Sequence, residues 1–541
     1  MAEKTVATEV VETLRDMGVR HVFGVPSGGW VDYMEAMRVT DGIDFILATH
    51  EGGAGMMAEV CGRLSGVPGV CFGTFGPGAT NLATGVGEAL LDRSPMIALT
   101  DEMAEPMRGR VVQMGIDHQA LFAPLTKKTT RLRADAVRDI LNDAATVAMS
   151  GRPGPVHVGL PVGLSAQPSG GRAWAAVQRM IFPAASTDLL EAAGAKLRAA
   201  QRPIIALGLG AVEAGLRDKA IALAEKFDIP VVLTPMAKGM LPEDHPLYVG
   251  VLFHALSNVV GETHRDADLV IAVGYDPVEF NFESWMPQVA LVNLDIEPAD
   301  IDRNEFVDVT DVTGDIAASL GFLTGLSMPK KQWDLDAIAR RRAAMWEKMS
   351  PDNAVMGPTK VLSILREILP ENGIMACDVG AHTHLIGQKW PTPAPKTQLM
   401  TNGWSTMGFG IPAAIAAKLT RPDLPVCAVV GDGGFLMTVG ELATAVRYNL
   451  AMVIVVLTDN DLALIRIKQE KKGNPIYGTP VRTAGTIGGD NLFGVPVHSV
   501  SDADSLRTAL EQAFASNGPV IVEAIVDSRE YDQLVLKKDK A

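Results

Sequence analysis

The feature of the sequence that most restricts its fold is a regular alternation of short apolar stretches with helix-like segments. In the first third, strand-like stretches such as "VRHVFGVP", "DFILATHE", "GVCFGTFGPG" and "GPVHVGLP" alternate with segments of helical character. Because neighbouring parallel strands need crossover connections, this alternation predicts parallel sheets with helices on both faces. The expected fold class is therefore α/β, built from doubly wound parallel sheets.

Two stretches interrupt this alternation and divide the chain of 541 residues. The first lies near residues 164–186, and the second, near 326–358, carries a charged helix between proline-rich ends. We interpret both as linkers, which predicts three domains over residues 1–165, 187–325 and 356–541. The two outer domains share a sequence echo, since "SGRPGPVHVGLP" and "SNGPVIVEAIVD" each place a Gly-Pro turn before a strand.

Charge and apolar patterning argue against several classes of partner. The net charge is −15 and lysine and arginine form no long cluster, so no nucleic-acid partner is expected. The longest apolar runs, such as "MVIVVL", are too short to span a membrane, and the first residues lack the apolar segment of a signal peptide. The four cysteines form neither a C-x-x-C pair nor a zinc-binding spacing. We therefore expect reduced thiols, no membrane partner and a cytoplasmic location.

The strongest chemical pattern surrounds a glycine turn late in the chain. Gly431, Gly433 and Gly434 follow the strand-like "PVCAVV" and allow backbone N–H groups to approach a ligand closely. A phosphate there would meet the positive end of the following helix. Asp432 and Asp459 each follow an apolar strand, so both should lie at one edge of a sheet, where oxygen ligands suit Mg²⁺. The alternative interpretation is two solvent-exposed aspartates in turns.

These residues resemble a known motif. The Gly-Asp-Gly turn followed by "DND" at 459–461 is similar to the metal–diphosphate motif of thiamine-diphosphate-dependent enzymes. Other stretches resemble the decarboxylase and carboligase branch of that superfamily, among them "THEGGAGMMAEVCGR", "TFGPGATNLATGVGEALLD" and "TMGFGIPAAIAAKL". The aspartate at 459, "GYDPVEF" and "IKQEKK" are similar in particular to flavin-independent (catabolic) acetolactate synthases. The resemblance implies thiamine diphosphate and Mg²⁺ as cofactors.

The resemblance also implies roles for individual residues. Glu51 matches the glutamate that hydrogen-bonds the pyrimidine ring. Met407 matches the apolar residue that bends the cofactor and brings its reacting groups together. Asp432 and Asp459 would bind the ion through carboxylates, and Asp461 through its main-chain oxygen. The implied cofactor-binding set is Pro26, Glu51, Ala381, His382, Thr406, Met407, Gly431, Asp432, Gly433, Gly434, Asp459 and Asp461.

On residue type alone, simpler interpretations of these residues exist. Glu51 would be a glutamate that stabilises a helix N-terminus, and Met407 would be a methionine filling the core. Trp30 and Trp404 are bulkier than the family pattern at two positions that lie near substrate in relatives. The candidate substrate contacts are Ser27, Gly28, Gln113 and His118.

The implied reaction is decarboxylation of a 2-oxo acid followed by carboligation, which converts two pyruvate molecules into 2-acetolactate and CO₂. One alternative is a non-oxidative decarboxylase or C–C lyase acting on a bulkier substrate. A flavin-dependent oxidase and a non-enzymatic nucleotide-binding member are further alternatives. The resemblance also implies a homodimer or homotetramer in which Glu51 and Asp432 meet across a subunit interface.

Overall fold

The computed structural model of the chain describes residues 4–170, 180–351, 355–481 and 487–535. Its strands form three sheets, and all strand pairs are parallel except one antiparallel pair at the edge of the third sheet. Helices flank the sheets, so the predicted α/β class with three doubly wound sheets is confirmed. The predicted domain boundaries stay a prediction, and parts of both predicted linkers, 171–179 and 352–354, lie outside the described residues.

The first sheet contains six strands. They are β1 His21–Gly24, β2 Asp44–Leu47, β3 Gly69–Gly73, β4 Met96–Glu102, β5 Lys128–Arg131 and β6 Pro155–Pro161. Their spatial order is β2-β1-β3-β4-β6-β5. β3 and β4 are buried along their whole length, as expected for central parallel strands covered on both faces.

The middle sheet also has six strands in the described residues, in a different order. They are β7 Pro203–Leu207, β8 Val231–Leu233, β9 Tyr248–Val251, β10 Leu269–Val273, β11 Ala290–Asp295 and β12 Val309–Thr313. Their order is β12-β11-β10-β7-β8-β9. The chain therefore runs outward in both directions from β7, which lies at the centre of the sheet beside β10.

The third sheet repeats the strand order of the first. Its strands are β13 Ile374–Cys377, β14 Gln398–Leu399, β15 Val426–Gly431, β16 Val453–Thr458, β17 Asn491–Leu492, β18 Val495–Val500 and β19 Val520–Ile525. Their order is β14-β13-β15-β16-β19-β18-β17. Without β17, both outer sheets read second, first, third, fourth, sixth, fifth strand. The two strands that carry the sequence echo, β6 and β19, occupy the same place in this order.

The helices pack on the faces of the three sheets. In chain order they are α1 Val6–Asp16, α2 Val31–Arg38, α3 Glu51–Ser65, α4 Pro77–Leu91, α5 His118–Phe122, α6 Val137–Met149, α7 Thr187–Ala199, α8 Leu209–Glu213, α9 Arg217–Phe227, α10 Ser257–Arg265, α11 Ile316–Gly325, α12 Leu335–Lys348, α13 Pro358–Ile368, α14 Ala381–Lys389, α15 Gly410–Thr420, α16 Asp432–Thr438, α17 Leu442–Arg447, α18 Ala463–Lys471, α19 Ala503–Phe514 and α20 Glu530–Leu534. Across the described residues, no helix combines the length and the apolar character needed to cross a membrane.

The charged helix predicted in the second linker is α12, and it is docked rather than loose. Ile338 and Met345 are buried on one side of it. On its other faces Arg341 pairs with Asp266 at 3.1 Å, and the Arg342 guanidinium donates to main-chain oxygens next to β9. This amphipathic helix therefore extends the middle sheet's covering instead of spanning open solvent.

The first and third sheets share one buried apolar cluster. Ala54 and Phe122 from the first sheet's helices belong to it, together with Ile411 and Phe435 from the third. Helix α3 packs against α15 at its centre. Because α3 begins at Glu51, this packing fixes the position of that residue relative to the third sheet of the same chain.

Candidate active site

Three adjacent strands of the third sheet each end in an acidic residue. Asp378 follows β13, Asp432 follows β15 and Asp459 follows β16. The strands pair side by side in parallel, so their carboxyl ends lie at one edge of the sheet. In open α/β sheets this edge is where ligands bind.

Asp432 and Asp459 are tied to one another through the backbone. Asp432 accepts the N–H of Gly433 at 2.8 Å on one oxygen and the N–H of Asn460 at 2.6 Å on the other. Asp459 accepts the N–H of Asp461 at 3.1 Å. Burial raises the pKa of Asp459 to about 7, with a smaller contribution from the negative charge of Asp432. A cation between two such carboxylates would relieve their repulsion.

The side chain of Asp461 is engaged elsewhere. Its Oδ2 lies 3.2 Å from Nε of Arg466, while its Oδ1 is buried without a hydrogen-bond partner. Arg466 is itself buried and also binds Glu470 and Asp532. The guanidinium therefore draws one oxygen of the Asp461 carboxylate toward α18.

A cavity of about 120 Å³ opens at this edge. His382 contributes Nε2, which is buried without a hydrogen-bond partner, and burial lowers the pKa of this imidazole to about 4. An unpaired buried polar atom in the wall of a cavity can bind a polar ligand. Since complete ligand pockets usually measure about 300–1,000 Å³, this cavity suits one end of a longer molecule. Its lining includes Ala381, His382, Met407, Gly431, Asp432, Gly433, Gly434, Asp459 and Asp461.

Asp378 holds the turn that carries Met407, a role that the sequence interpretation missed. Its Oδ1 accepts the N–H of Gly408 at 2.9 Å, and the hydroxyl of Thr438 donates to the oxygen of Gly408 at 2.9 Å. A Cβ at Gly434 would lie 2.3 Å from Oδ2 of Asp378, so only glycine fits there. The one sequence signal for Asp378 was its place after a short apolar strand, the pattern shared with Asp432 and Asp459.

Glu51 begins α3 at the carboxyl edge of the first sheet and is buried. The preceding His50 caps the helix, its Nδ1 accepting the N–H of Gly52 at 3.0 Å. The amide of Asn81 donates to the Glu51 carboxylate at 3.0 Å, and a Cβ at Gly78 would lie 3.2 Å from its other oxygen. The first turn of α4 thus forms one wall around this carboxyl group.

The loop before Glu51 is held by the third sheet of the same chain. Glu441, which is buried, accepts the N–H groups of Thr49 and His50 at 3.1–3.2 Å. Tyr448 accepts the N–H of Leu47 at 2.8 Å. Both residues lie in the segment that runs from Asp432 toward β16. No local sequence pattern singles out Glu441, because its partners lie nearly four hundred residues away.

The remaining candidates lie mostly at the edge of the first sheet. Pro26 and Gly28 are exposed there, and the Ser27 hydroxyl donates to Asp101. His118 is buried, and its Nε2 accepts the N–H of Gly76 at 3.2 Å. Gln113 is exposed in the connection between β4 and α5, and half-buried Thr406 precedes Met407.

The expectation that Trp30 lies near the substrate is wrong. Its side chain is buried and stacks between Tyr33 and Phe72, with ring centroids 4.6 and 3.9 Å away. The turn after β1 directs this indole into the core of the first sheet, so it does not narrow a substrate site. Trp404 is partly exposed and lies against α4, where a Cβ at Gly87 would come within 2.8 Å of its ring.

The chain therefore presents two groups of predicted residues. Nine of the predicted cofactor residues line the cavity at the third sheet. Pro26, Ser27, Gly28, Glu51 and His118 lie at the edge of the first sheet instead, and Glu51 is not part of that cavity's lining.

Comparison with known proteins shows similarity along almost the whole chain. Three family models match: Thiamine pyrophosphate enzyme, N-terminal TPP binding domain, at residues 4–121; the central domain, at 190–323; and the C-terminal TPP binding domain, at 378–524. A probable acetolactate synthase large subunit of Methanocaldococcus jannaschii is 30% identical, covering 97% of this chain and 92% of the relative. The acetolactate synthase isozyme 2 large subunit of Escherichia coli is 31% identical (96% and 95% covered). The catabolic acetolactate synthase of Raoultella terrigena is 29% identical (96% and 95% covered).

Proposed function

We propose a reaction for this chain from the premise that it belongs to the thiamine pyrophosphate enzymes and is acetolactate synthase-like. Family and dependence on thiamine diphosphate agree with the sequence resemblance and are confirmed. The proposed reaction is the decarboxylation and carboligation of two pyruvate molecules to 2-acetolactate and CO₂. The observation that carries it is the cavity where Met407, His382 and the aspartate pair meet at three strand ends.

The diphosphate end of the cofactor is proposed to lie in this cavity. The glycine turn and the unpaired Nε2 of His382 fit a phosphate group. The donor set for the ion consists of oxygens, which suits Mg²⁺. We assign the carboxylates of Asp432 and Asp459 and the main-chain oxygen of Asp461 to the ion, because the Asp461 side chain is held by Arg466.

The reacting end of the cofactor is proposed to lie between Met407 and Glu51. When bound, thiamine diphosphate supplies an electron sink for cleavage of the bond beside a carbonyl group. Glu51 would hold a proton at the pyrimidine ring, a task suited to a carboxyl group buried against Gly78 and Asn81. Met407, fixed through Gly408 and Asp378, would press on the cofactor from the opposite sheet.

A complete site is proposed to form between two copies of the chain, in a homodimer or homotetramer. Glu51 does not line the cavity of its own chain, which supports a site that Glu51 of another subunit completes. Leu436 and Met437, directly after the glycine turn, are 47% and 59% exposed. Burying such apolar side chains against a second copy would stabilise the assembly.

The cysteines support the proposed cytoplasmic location. Cys61, Cys71, Cys377 and Cys427 are all buried free thiols. Buried thiols without disulfide partners are typical of proteins in a reducing compartment.

Product analysis tests the proposed reaction. The purified protein is incubated with thiamine diphosphate, Mg²⁺ and a panel of 2-oxo acids, and CO₂, 2-acetolactate and aldehydes are measured. Pyruvate should give 2-acetolactate and CO₂ in equal amounts without added flavin. Aldehyde equal to the CO₂ released, above all from a bulkier 2-oxo acid, would establish the decarboxylase alternative instead. A yellow protein with flavin absorbance would favour the oxidase.

A further inference from the structure

A buried hydrogen-bond chain connects the turn before α4 with the end of β4. It runs from Gly76 to Glu102 through His118, Thr100, His157, Thr129 and Gln119. Three of these side chains, Thr100, His118 and His157, are almost completely buried. The proposed reaction uses none of these hydrogen bonds, so the hydrogen-bond chain requires its own explanation.

The direction of each bond follows from the Gly76 end. A backbone N–H only donates, so Nε2 of His118 accepts from Gly76 at 3.2 Å and carries no proton. Nδ1 of His118 must then hold the ring proton and donate to the Thr100 hydroxyl oxygen at 2.9 Å. Thr100 in turn donates to Nε2 of His157 at 2.8 Å.

The opposite end fixes the same direction independently. Glu102, paired with Arg131, and the main-chain oxygen of Thr130 only accept, so the Gln119 NH₂ group faces them at 2.5 and 3.0 Å. The Gln119 oxygen therefore accepts from the Thr129 hydroxyl at 2.8 Å. Thr129 accepts in turn from Nδ1 of His157 at 2.7 Å, which leaves Nε2 of that ring free to accept from Thr100.

Both histidines are consequently neutral and carry their proton on Nδ1. A second proton on Nε2 of His118 would point at the N–H of Gly76 and break the first link. Burial favours the neutral forms, lowering the pKa of His118 to about 4 and that of His157 to about 3.

A metal ion does not explain this cluster. Glu102, His118 and His157 offer ligand atoms within 4.8 Å of one another. However, each nitrogen of both rings already donates or accepts a hydrogen bond, and Glu102 accepts from Gln119 and Arg131. Binding a metal would break bonds that are complete without it.

The hydrogen-bond chain ends at Gly76, in the turn that lies beside Glu51. Gly76 has φ +48° and precedes Pro77, the first residue of α4. A Cβ at Gly76 would lie 2.9 Å from the oxygen of Met114, so the turn is confined on its outer side as well. Two residues further, a Cβ at Gly78 would lie 3.2 Å from the Glu51 carboxylate, and Asn81 donates to that carboxylate.

We propose that His118 is a positioning residue, which holds the Gly76–Gly78 turn through the Thr100–His157 chain and thereby sets the place of the Glu51 carboxyl group. The proposal rests on the proposed function only for the catalytic role of Glu51. The hydrogen-bond chain itself is a property of the protein without substrate or cofactor.

Paired variants at Thr100 test the proposal. Thr100→Val keeps the shape but removes the hydroxyl, so His118 loses its acceptor and is free to change tautomer. Thr100→Ser restores the hydroxyl. Thr13→Val is the matched control, because Thr13 is equally buried and its hydroxyl donates only to Glu9 within α1.

Hydrogen–deuterium exchange in a peptide covering residues 72–82 provides a readout that does not depend on activity. Thr100→Val should accelerate exchange at Gly76 about tenfold or more, while Thr100→Ser and Thr13→Val leave it within about twofold of the unmodified protein. In turnover assays, kcat should fall about tenfold for Thr100→Val alone, with KM nearly unchanged and Ser restoring the rate. Equal exchange in all four proteins would overturn the proposal.

The unmodified protein offers a second test that needs no variant to fold. In protein labelled with ¹⁵N histidine, both His118 and His157 should give the signals of neutral Nδ1–H rings at pH 7. An Nε2–H ring or a charged ring at either position contradicts the assigned direction and with it the proposal. If the protein makes a product other than 2-acetolactate, the proposed function fails, whereas the exchange and tautomer results remain as expected.

Discussion

The first and third sheets have the same strand order but treat the acidic residues at their strand ends in opposite ways. In the first sheet, Asp101 accepts from the hydroxyls of Ser27 and Thr74, and Glu102 from Gln119 and Arg131. At the third sheet the buried Asp459 faces another carboxylate, that of Asp432, and its pKa rises to about 7. Burial raises the pKa of Asp101 as well, but Asp101 accepts from two hydroxyls, whereas Asp459 faces a second carboxylate, so a cation would relieve repulsion at the third sheet.

The glycine turns differ in the same way. The turn at Gly76, after β3, is fastened from behind by His118 and presents Gly78 to Glu51. The turn at Gly431, after β15, opens into the cavity beside His382. A shared topology therefore supplies turns at equivalent places, and the side chains around each turn decide whether it supports a neighbour or binds a ligand.

The largest expected effect comes from removing the acid of the first edge. Glu51→Gln should lower turnover on the order of 10²-fold or more, because a positioned proton-transfer group is lost while the amide keeps the shape. The affinity for thiamine diphosphate in the presence of Mg²⁺, measured by calorimetry, should change little. Turnover close to that of the unmodified protein would remove Glu51 from its proposed role.

A matched pair of aspartates separates the two edges. Asp432→Asn should weaken Mg²⁺-dependent binding of thiamine diphosphate by about 10- to 100-fold, because the proposed ion ligand loses its charge. Asp101→Asn makes the same chemical change at the satisfied edge and should leave binding within about twofold, at a cost of about 1 kcal/mol in stability. Titration of thiamine diphosphate and Mg²⁺ into each variant measures the two affinities. A similar loss of affinity in both variants would contradict the proposed difference between the two edges.

Co-expression of two inactive variants tests whether the edges act together across subunits. If each site joins Glu51 of one chain to Asp432 of another, a dimer of Glu51→Gln with Asp432→Asn contains one intact site. Half of randomly paired dimers are mixed, so about a quarter of normal activity should return. Differently tagged copies purified in sequence isolate the mixed dimer. Absence of activity in it would indicate that each site forms within one chain.

The smallest expected effect is a loss of folding stability in acid that comes from His118, which holds the turn at Gly76. His118 has a pKa of about 4 in the fold against 6.5 in its absence, so the unfolded chain binds more protons between these values. Stability should therefore fall as the pH drops from 6.5 toward 4. The charged or titratable groups around the ring are Asp117, Arg131, Glu102 and His157.

The variant His118→Gln isolates this contribution. A glutamine can accept from Gly76 and donate to Thr100 but does not titrate, so its melting temperature should fall less between pH 6.5 and 5 than that of the unmodified protein. Thr13→Val should follow the unmodified protein in parallel. Parallel curves for His118→Gln as well would show that His118 contributes no acid sensitivity.

Much of the third edge was predictable because its residues are close together in sequence. Asp432 and Asp459 are separated by two short helices and one strand, and strand-ending acids in parallel sheets share an edge. Asp378 belongs to the same edge but was missed, because its hydrogen-bond donors are backbone N–H groups of a distant turn. Trp30 was misjudged because nothing in "PSGGW" shows that the indole turns into the core.

The supports of the first edge were beyond prediction for a related reason. His118 was a weak substrate candidate, and its partners Thr100 and His157 lie on two different strands. Glu441 looked like any polar residue on a helix surface, although it holds the loop before Glu51. Contacts that depend on how one sheet packs on another carry no local pattern, whereas strand alternation and the shared strand order do.

The contact between Glu441 and Thr49 spans 392 positions of the chain, which has a consequence for biosynthesis. A ribosome releases the first sheet long before it makes Glu441, so the loop that carries the acid stays unfinished during most of translation. Long-range contacts of this kind form late and slow the final folding step. The loop that carries Glu51 therefore gains its support from Glu441 only late in the synthesis of the polypeptide.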